Sequence, residues 1–387
     1  MLGLFLVLPV FTLYGLQFTA SRFLVGFAFG CYGLTMAIFQ IPLGRWSDRV
    51  GRRKVLIFGM TVFSLGSFIC ATPAWFPQSL QIWILIGGRL VQGCGAIVST
   101  AFAAVADHIE PEYRSTAMAA LGIPIGASFV VGIVGGPLLA GLFAKALHLK
   151  ADAGGIAALF WLTGALSLLT DGLLLRYLPE TRSEVKSPAP LSYVLRSGSL
   201  LAVDLSGFIL NFFMSSFFCS FPLMAKLQLG MNPTQYYEIL LPMLVANGIA
   251  MFAISRSADK GRVRPLASAL FLIMAVSAVL LFRPGMVGLD PRHVLALLLP
   301  GTLFFIAFGG LEPILPSEVS KSAPPSAYGT ALGVYNTMQF LGSFAGGALA
   351  GALSRLRSTT PAVTVLAAAS MLGLVLMGAF RPGVKGS

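Results

Sequence analysis

"GRWSDRVGRRK", Gly44 to Lys54, sets six charged side chains (Arg45, Asp48, Arg49, Arg52, Arg53 and Lys54) into eleven residues of a chain that is only 10% charged. The sequence on both sides is apolar, and so is most of the rest: hydrophobic residues make up 56% of the 387 and mean hydropathy is +0.85. Apolar runs of membrane-spanning length recur from end to end, which no soluble class produces. The stretch therefore reads as a loop between two membrane helices of a polytopic protein. A net charge of +12 would suit nucleic acid, but the Lys and Arg are confined to short connections between the runs. That distribution sets topology rather than binding phosphate.

A bilayer core takes about 20 apolar residues per helix. Twelve runs qualify: 1–19, 23–46, 55–73, 79–106, 116–144, 156–178, 199–225, 237–255, 265–282, 293–317, 327–354 and 361–380. In lipid every backbone polar group needs an internal partner, so these are helices and the fold class is an all-α membrane protein. With the N-terminus inside, the inner connections and tail carry 17 of the 26 Lys and Arg, the outer loops carry 8, and Arg89 lies within a span. This bias predicts that both termini are cytoplasmic. No basic segment or small-residue cleavage site follows Met1, so the first helix is expected to be retained.

The four cysteines (Cys31, Cys70, Cys94 and Cys219) lie in apolar runs without CxxC spacing, which indicates neither disulfides nor a zinc site. His108, His148 and His293 fall at span ends or in loops. With no P-loop and no Ser/His/Asp arrangement, the sequence predicts no enzyme, no nucleotide-driven pump, no metal and no cofactor.

"PETRSEVKSPAPLSYVLRSG", residues 179–198, is the longest polar connection and divides the chain into six-span halves, 1–178 and 199–387. An internal repeat agrees. Asp48 and Asp259, Asp107 and Glu318, and Gly136 and Gly347 are all 211 residues apart. A parallel duplication of this kind is found in two-bundle secondary transporters, with pseudo-two-fold symmetry between the halves.

Three signatures make the chain resemble the major facilitator superfamily. The loop 2–3 pattern G-x-x-x-D-R-x-G-R-R is matched by Gly44, Asp48, Arg49, Gly51, Arg52 and Arg53. "RLVQGCGA" on span four is similar to the R-x-x-Q-G-x-G-A element, at Arg89, Gln92, Gly93 and Gly95. "GIVGGPLLAG" on span five matches G-x-x-x-G-P-x-x-x-G at Gly132, Gly136, Pro137 and Gly141, a pattern associated in that superfamily with drug:proton antiporters. Within that group "YGLTMAIFQIPLGRWSDRVGRRK" and "YGTALGVYNTMQFLG" resemble the YajR-type exporters. Those carry a further C-terminal cytosolic domain, whose function is not expected here because the sequence ends seven residues past span twelve. Met1 also begins inside what resembles the first helix.

An acid at Asp48 can meet the N-terminus of another helix and gain about 0.3 to 1 kcal/mol from its dipole. The resemblance implies that this helix is span eleven, and that Arg52 pairs with Asp107 in a latch between the halves to which Gly44, Asp48, Arg49 and Gly51 also belong; Gly44 permits close helix approach. Intramembrane charge costs about 2.5 to 3.5 kcal/mol on insertion scales and usually has a task. Coupling to protons requires a carboxylate that titrates within the gradient, for which Glu312 is the first candidate and Asp204 the second, with Arg89 tuning a neighbouring site. Asp171 is expected to snorkel beside Arg176, and Arg22 to be interfacial. Gly136 and Pro137 favour a kink that seals the outer interface. The family layout implies that Tyr14, Gln40, Asn211, Phe213, Tyr335, Asn336 and Gln339 line a central cavity.

The resulting expectation is a monomeric proton-coupled exporter of hydrophobic or cationic small molecules in a bacterial inner membrane. Its alternative is a proton-linked importer or facilitator of a polar metabolite such as a sugar or organic acid.

Overall fold

The computed structural model describes residues 1–107, 109, 114–148, 154–180, 191–259, 261–324, 327–354 and 359–380, with backbone alone at 106, 114–123, 252, 255, 259 and 328. His108, the middle of the 179–198 connection and the Asp259 side chain lie outside the described residues.

All regular structure among these residues is helical: α1 (Leu2–Val7), α2 (Phe11–Gly15), α3 (Arg22–Val50), α4 (Arg52–Ala71), α5 (Gln78–Cys94), α6 (Val98–Asp107), α7 (Arg114–Ala146), α8 (Gly154–Tyr177), α9 (Leu191–Arg196), α10 (Gly198–Leu229), α11 (Tyr237–Asp259), α12 (Val263–Phe282), α13 (Leu295–Ser322), α14 (Tyr328–Leu353) and α15 (Thr360–Ala379). Serine side chains cap two of the long helices at their starts: Ser21 Oγ accepts from Leu24 N–H at α3, and Ser197 Oγ from Leu200 N–H at α10.

Ten of the expected spans have the length and apolar content to cross a bilayer. The first run and α14 account for the difference from twelve. Residues 1–19 form two short helices because Pro9 has no N–H and its ring crowds the carbonyl four residues back. Helix α14 is long enough, but its Gly, Thr, Asn and Gln dilute its hydropathy because it packs against protein on two sides. Span four is also divided. α5 stops at Cys94, and α6 begins at Val98. Here Gly93 lies on Tyr32 and Thr35 of α3, and Gly95 on Gly59 and Phe63 of α4, approaches that a Cβ would prevent.

The helix contacts fall into two sets, α1 to α8 and α10 to α15. Across them α3 packs along α14, and α7 meets α11 and the turn Pro233–Gln235 before it. A two-fold relation between six-span sets exchanges spans two and eight, and spans five and eleven. It therefore turns the first of these contacts into the second. Both are tight at the face opposite the Gly51 loop. A Cβ on Gly347 would stand 2.9 Å from Gly26 O and 3.0 Å from Gly30 N, and one on Gly141 would stand 2.6 Å from Thr234 Cγ2. Arg22 Nη1 adds a bond to Ser354 O at 2.9 Å across the same end.

The second set has an aromatic centre. Phe217 stacks on Phe304 with centroids 4.4 Å apart, and Phe213 on the same ring at 5.5 Å. Phe129 of α7 reaches over to stack on Phe308 at 5.7 Å.

Candidate functional site

Gly51 ends α3 and begins α4 with φ at +111°, a region that L side chains rarely adopt. This turn brings Arg52 back over the end of α3. Its side chain is 6% exposed, with Nη1 2.6 Å from Asp48 Oδ1 and Nε 2.8 Å from Asp107 Oδ2. Nη1 also donates to Ser47 Oγ at 2.6 Å, so charge-assisted bonds satisfy a guanidinium removed from water. Gly44 lies against α6, where a Cβ would stand 3.3 Å from Ser99 Oγ. Arg49 is exposed.

Every one of these partners of Arg52 belongs to residues 1–178. Asp48 pairs with Arg52, with its side chain 41% exposed; residues 325 and 326, just before span eleven, whose start it is expected to meet, lie outside the described residues. Glu180, which follows α8 and stands in a segment that reads as linker, also joins the network. Glu180 Oε1 accepts from Arg53 N–H at 3.2 Å, and Arg53 Nη2 donates to Leu175 O at 2.7 Å. The network thus binds the ends of spans two, three, four and six into one block. In the other half Glu318, only 3% exposed, is met by Lys321 Nζ of its own helix at 2.7 Å. The repeat keeps the acid and changes its partner.

Arg89 is 3% exposed. Its Nη1 donates to Gln92 Oε1 at 2.7 Å and Nη2 to Phe29 O at 3.4 Å, and its Cζ lies over the rings of Tyr32 at 4.6 Å and Phe11 at 5.1 Å. Gln92 is held in turn by Ser67 at 2.7 Å. All these partners come from α2 to α5. The structure therefore does not bring Arg89 together with Glu312 or Asp204, which stand on α13 and α10.

Those two acids share surroundings. Asp204 is 1% exposed, and neither of its oxygens has a hydrogen-bond partner. Glu312 lies beside the Gln339 side chain, and its Oε2 is buried without a hydrogen-bond partner. Gln339 Nε2 donates to Tyr335 Oη at 3.2 Å, and Tyr335 interacts electrostatically with both acids. Gly207, three residues after Asp204, makes room for this: a Cβ there would strike the Tyr335 ring. Spans seven, ten and eleven thus place two carboxylates around one buried phenol.

The other residues expected to line a cavity are dispersed. Tyr14 is turned into the first set, its Oη donating to Cys70 O at 2.9 Å, and Phe213 is buried in the aromatic centre of the second. Asn211 is buried, and its Nδ2 donates to Gly207 O of its own helix at 3.3 Å. Asn336 is buried on α14. Gln40 is fully buried with both amide atoms unpartnered. None of the seven lines the cavity of about 250 Å³ at the face opposite the Gly51 loop, whose walls include Thr12, Arg22, Ser216, Cys219 and Leu349. Asn247 of α11, which the sequence reading missed, is buried with its Oδ1 unpartnered, beside Gly309.

Two expectations need correction. Asp171 is not a snorkelling acid beside Arg176: it is 7% exposed, and its Oδ2 accepts from Thr61 Oγ1 of α4 at 3.0 Å. Five residues along a helix are about 140° apart, which puts Arg176 on another face, over the Tyr177 ring at 5.6 Å. In the span-five motif, Gly132 and Gly136 seat α1 at Phe5 and Leu6, within their own half, and only Gly141 faces the other. Helix α7 runs unbroken through Pro137.

Buried charge on a bundle of apolar, mostly membrane-length helices in two related sets defines a polytopic membrane transporter. Residues 1–347 match the Major Facilitator Superfamily family model. The chain is 33% identical over 359 residues to the inner membrane transport protein YajR of Escherichia coli (strain K12), covering 91% of this chain and 74% of that one. It is 27% identical over 369 residues to multidrug resistance protein 2 of Bacillus subtilis (strain 168), covering 91% and 85%. A solved D-xylose-proton symporter shares the fold with a TM-score of 0.75 at 16% identity, covering 100% and 96%. The chain belongs to the Major Facilitator Superfamily, and it is a transporter of small molecules rather than an enzyme.

Proposed function

We propose that the chain is a proton-coupled exporter of hydrophobic or cationic small molecules, working by alternating access between halves 1–178 and 199–387 as a monomer in a bacterial inner membrane. The observation that carries this reading is Glu312, whose Oε2 is buried without a partner beside Gln339 of span eleven. A carboxylate in that position is stable when it carries a proton and must find a countercharge when it does not. Proton uptake and release at this acid therefore have to alternate with substrate movement, and the site must face each side of the membrane in turn. Export is supported by the relative named for multidrug resistance and by Gly141, which closes span five on the start of span eight. The two glycine contacts, Gly26 with Gly347 and Gly141 with Thr234, seal the face expected to be extracellular.

The Arg52 network acts as a clamp. It fixes spans two, three, four and six as a rigid block, so that α3 moves against α14 as one body with them. With the Gly51 loop on the cytoplasmic side, both termini are cytoplasmic.

The test is a proteoliposome screen of cationic dyes and metabolites with and without a pH gradient. Gradient-driven dye export supports the proposal. Uptake of a polar metabolite together with protons would replace it with an importer.

A further inference from the structure

The two sets of helices meet their surroundings with different side chains. Among the described residues, every exposed Phe, Tyr or Trp outside the linker lies in residues 1–178, while those of α10 to α15 are buried or half-buried. The exposed rings form two bands. Trp75, Phe76, Trp83 and Trp161 stand towards the end opposite the Gly51 loop, where the Trp161 ring lies 6.0 Å from Trp75. Trp46, Phe58 and Tyr177 stand towards the Gly51 end, with Trp46 edge-on to Phe58 at 5.2 Å. Phe39, two turns deeper than Trp46 on the same helix, is the exposed ring between them.

Helix rise sets Phe58 and Trp75, at the two ends of α4, about 25 Å apart, and Trp161 and Tyr177 of α8 by about the same distance. A bilayer's hydrocarbon core is about 30 Å thick, and indole and phenol rings favour its two borders, where the ring stays apolar and the N–H or O–H reaches water. A protein partner sets no such spacing. The 211-residue repeat compares the sets position by position. Trp75, 72% exposed, corresponds to Met286, 71% exposed, and the exposed Trp83 and Trp161 correspond to the exposed Val294 and Leu372. The turns Pro73–Trp75 and Pro284–Val287 correspond too. The second set keeps the surface and loses the rings.

We infer that residues 1–178 present a two-banded aromatic surface to the interfacial layers of the bilayer, which hold this half at fixed depth while residues 199–387 tilt against it. The bands stand on spans two, three, four and six, the same four that the Arg52 network ties together, so the hold on any ring is a hold on the block. Met, Val and Leu have no such preference for the border, which leaves the second set free to move. The tilting rests on the alternating-access reading, and the aromatic surface does not.

The test is tryptophan quenching by phosphatidylcholine brominated near the headgroup or near the bilayer centre, in proteoliposomes of the full chain with and without a pH gradient. All four tryptophans lie in residues 1–178, so wild type reports on that half alone. It is expected to be quenched at least about twofold more by the shallow bromines, with the same ratio under the gradient. A nitroxide on Met286→Cys, after subtraction of labelled wild type, is expected to change its accessibility to a water-soluble relaxation agent when the gradient is imposed. Stronger quenching from the centre, or none from either lipid because a second copy covers the rings, overturns the surface. Tryptophan depth that changes under the gradient, or a nitroxide that does not, overturns the division into held and moving halves. Transport by the same vesicles tells that failure from failure of alternating access. Met286→Trp with Leu372→Trp, which gives the second set an outer band, should slow gradient-driven transport about threefold, whereas Met286→Leu with Leu372→Ile should not. Equal rates in these two variants would count against the proposal.

Discussion

Gln339 Nε2 donates to Tyr335 Oη at 3.2 Å, one turn away on α14, and the same side chain lies beside Glu312 of α13. Span eleven, which also packs along span two of the other half, is thereby joined to the buried acid. Protonating Glu312 changes what Gln339 must satisfy. A change of charge on span ten thus reaches the helix that forms the main contact between halves.

Gln339→Ala is therefore expected to weaken gradient-driven export more than it weakens substrate binding. Removing one partner of a buried polar group costs about 1 to 3 kcal/mol, here in the state where Glu312 is charged. Comparing binding with transport in the same preparation checks this, and equal losses in both would remove Gln339 from the coupling path.

The Arg52 clamp gives a stability prediction. Asp107→Asn leaves a 6%-exposed guanidinium with a neutral partner, and thermal unfolding in detergent should report a loss of about 1 to 3 kcal/mol. Lys321→Ala is the comparison. Its own side chain is 54% exposed, but the Glu318 that it meets is 4% exposed, so removal of Lys321 should also cost about 1 to 3 kcal/mol. No loss at either site would contradict the arrangement.

Glycine substitutions separate contact from composition. A Cβ on Gly26 of α3 would run into Gly347 O and the Gly351 backbone, whereas one on Gly333 of α14, the other helix of that interface, meets nothing within 4 Å. Gly26→Ala should destabilise and reduce export. Gly333→Ala should be neutral, or stabilising by up to about 1 kcal/mol because Ala is the better helix former. Matching effects at both sites would argue against close packing of α3 on α14.

Asp171 supplies a negative case. It bonds Thr61 inside the first set, away from Glu312, so Asp171→Asn should keep gradient-driven export at the wild-type level. A loss of coupling with substrate binding preserved would place a proton site there.

Much of this was readable in the chain because it depends on local rules. Apolar run length gave the spans, and the positive φ of Gly51 follows from a glycine set between two helices. What stayed hidden depends on which way a helix face turns. The first run read as continuous because periodicity does not weigh one Pro9 against thirteen hydrophobic residues around it. Tyr14 read as polar and cavity-facing, yet its hydroxyl finds Cys70 O inside the bundle. Glu180 stood in a segment whose Pro, Ser and mixed charge looked like linker, and only the fold brings it to Arg53. Glu312 and Asp204 were recognisable by cost alone. Their shared neighbour Tyr335 was visible only once Gly207 was seen to admit its ring.

The central claim is that Glu312 carries the exchanged proton. Proteoliposomes holding wild type or Glu312→Gln test it most directly, with methyltriphenylphosphonium followed both under a pH gradient and in gradient-free exchange of labelled for unlabelled cation. The account predicts that wild type drives gradient-dependent transport and that Glu312→Gln loses it while keeping the exchange. Equal gradient-driven transport by the two proteins would contradict it.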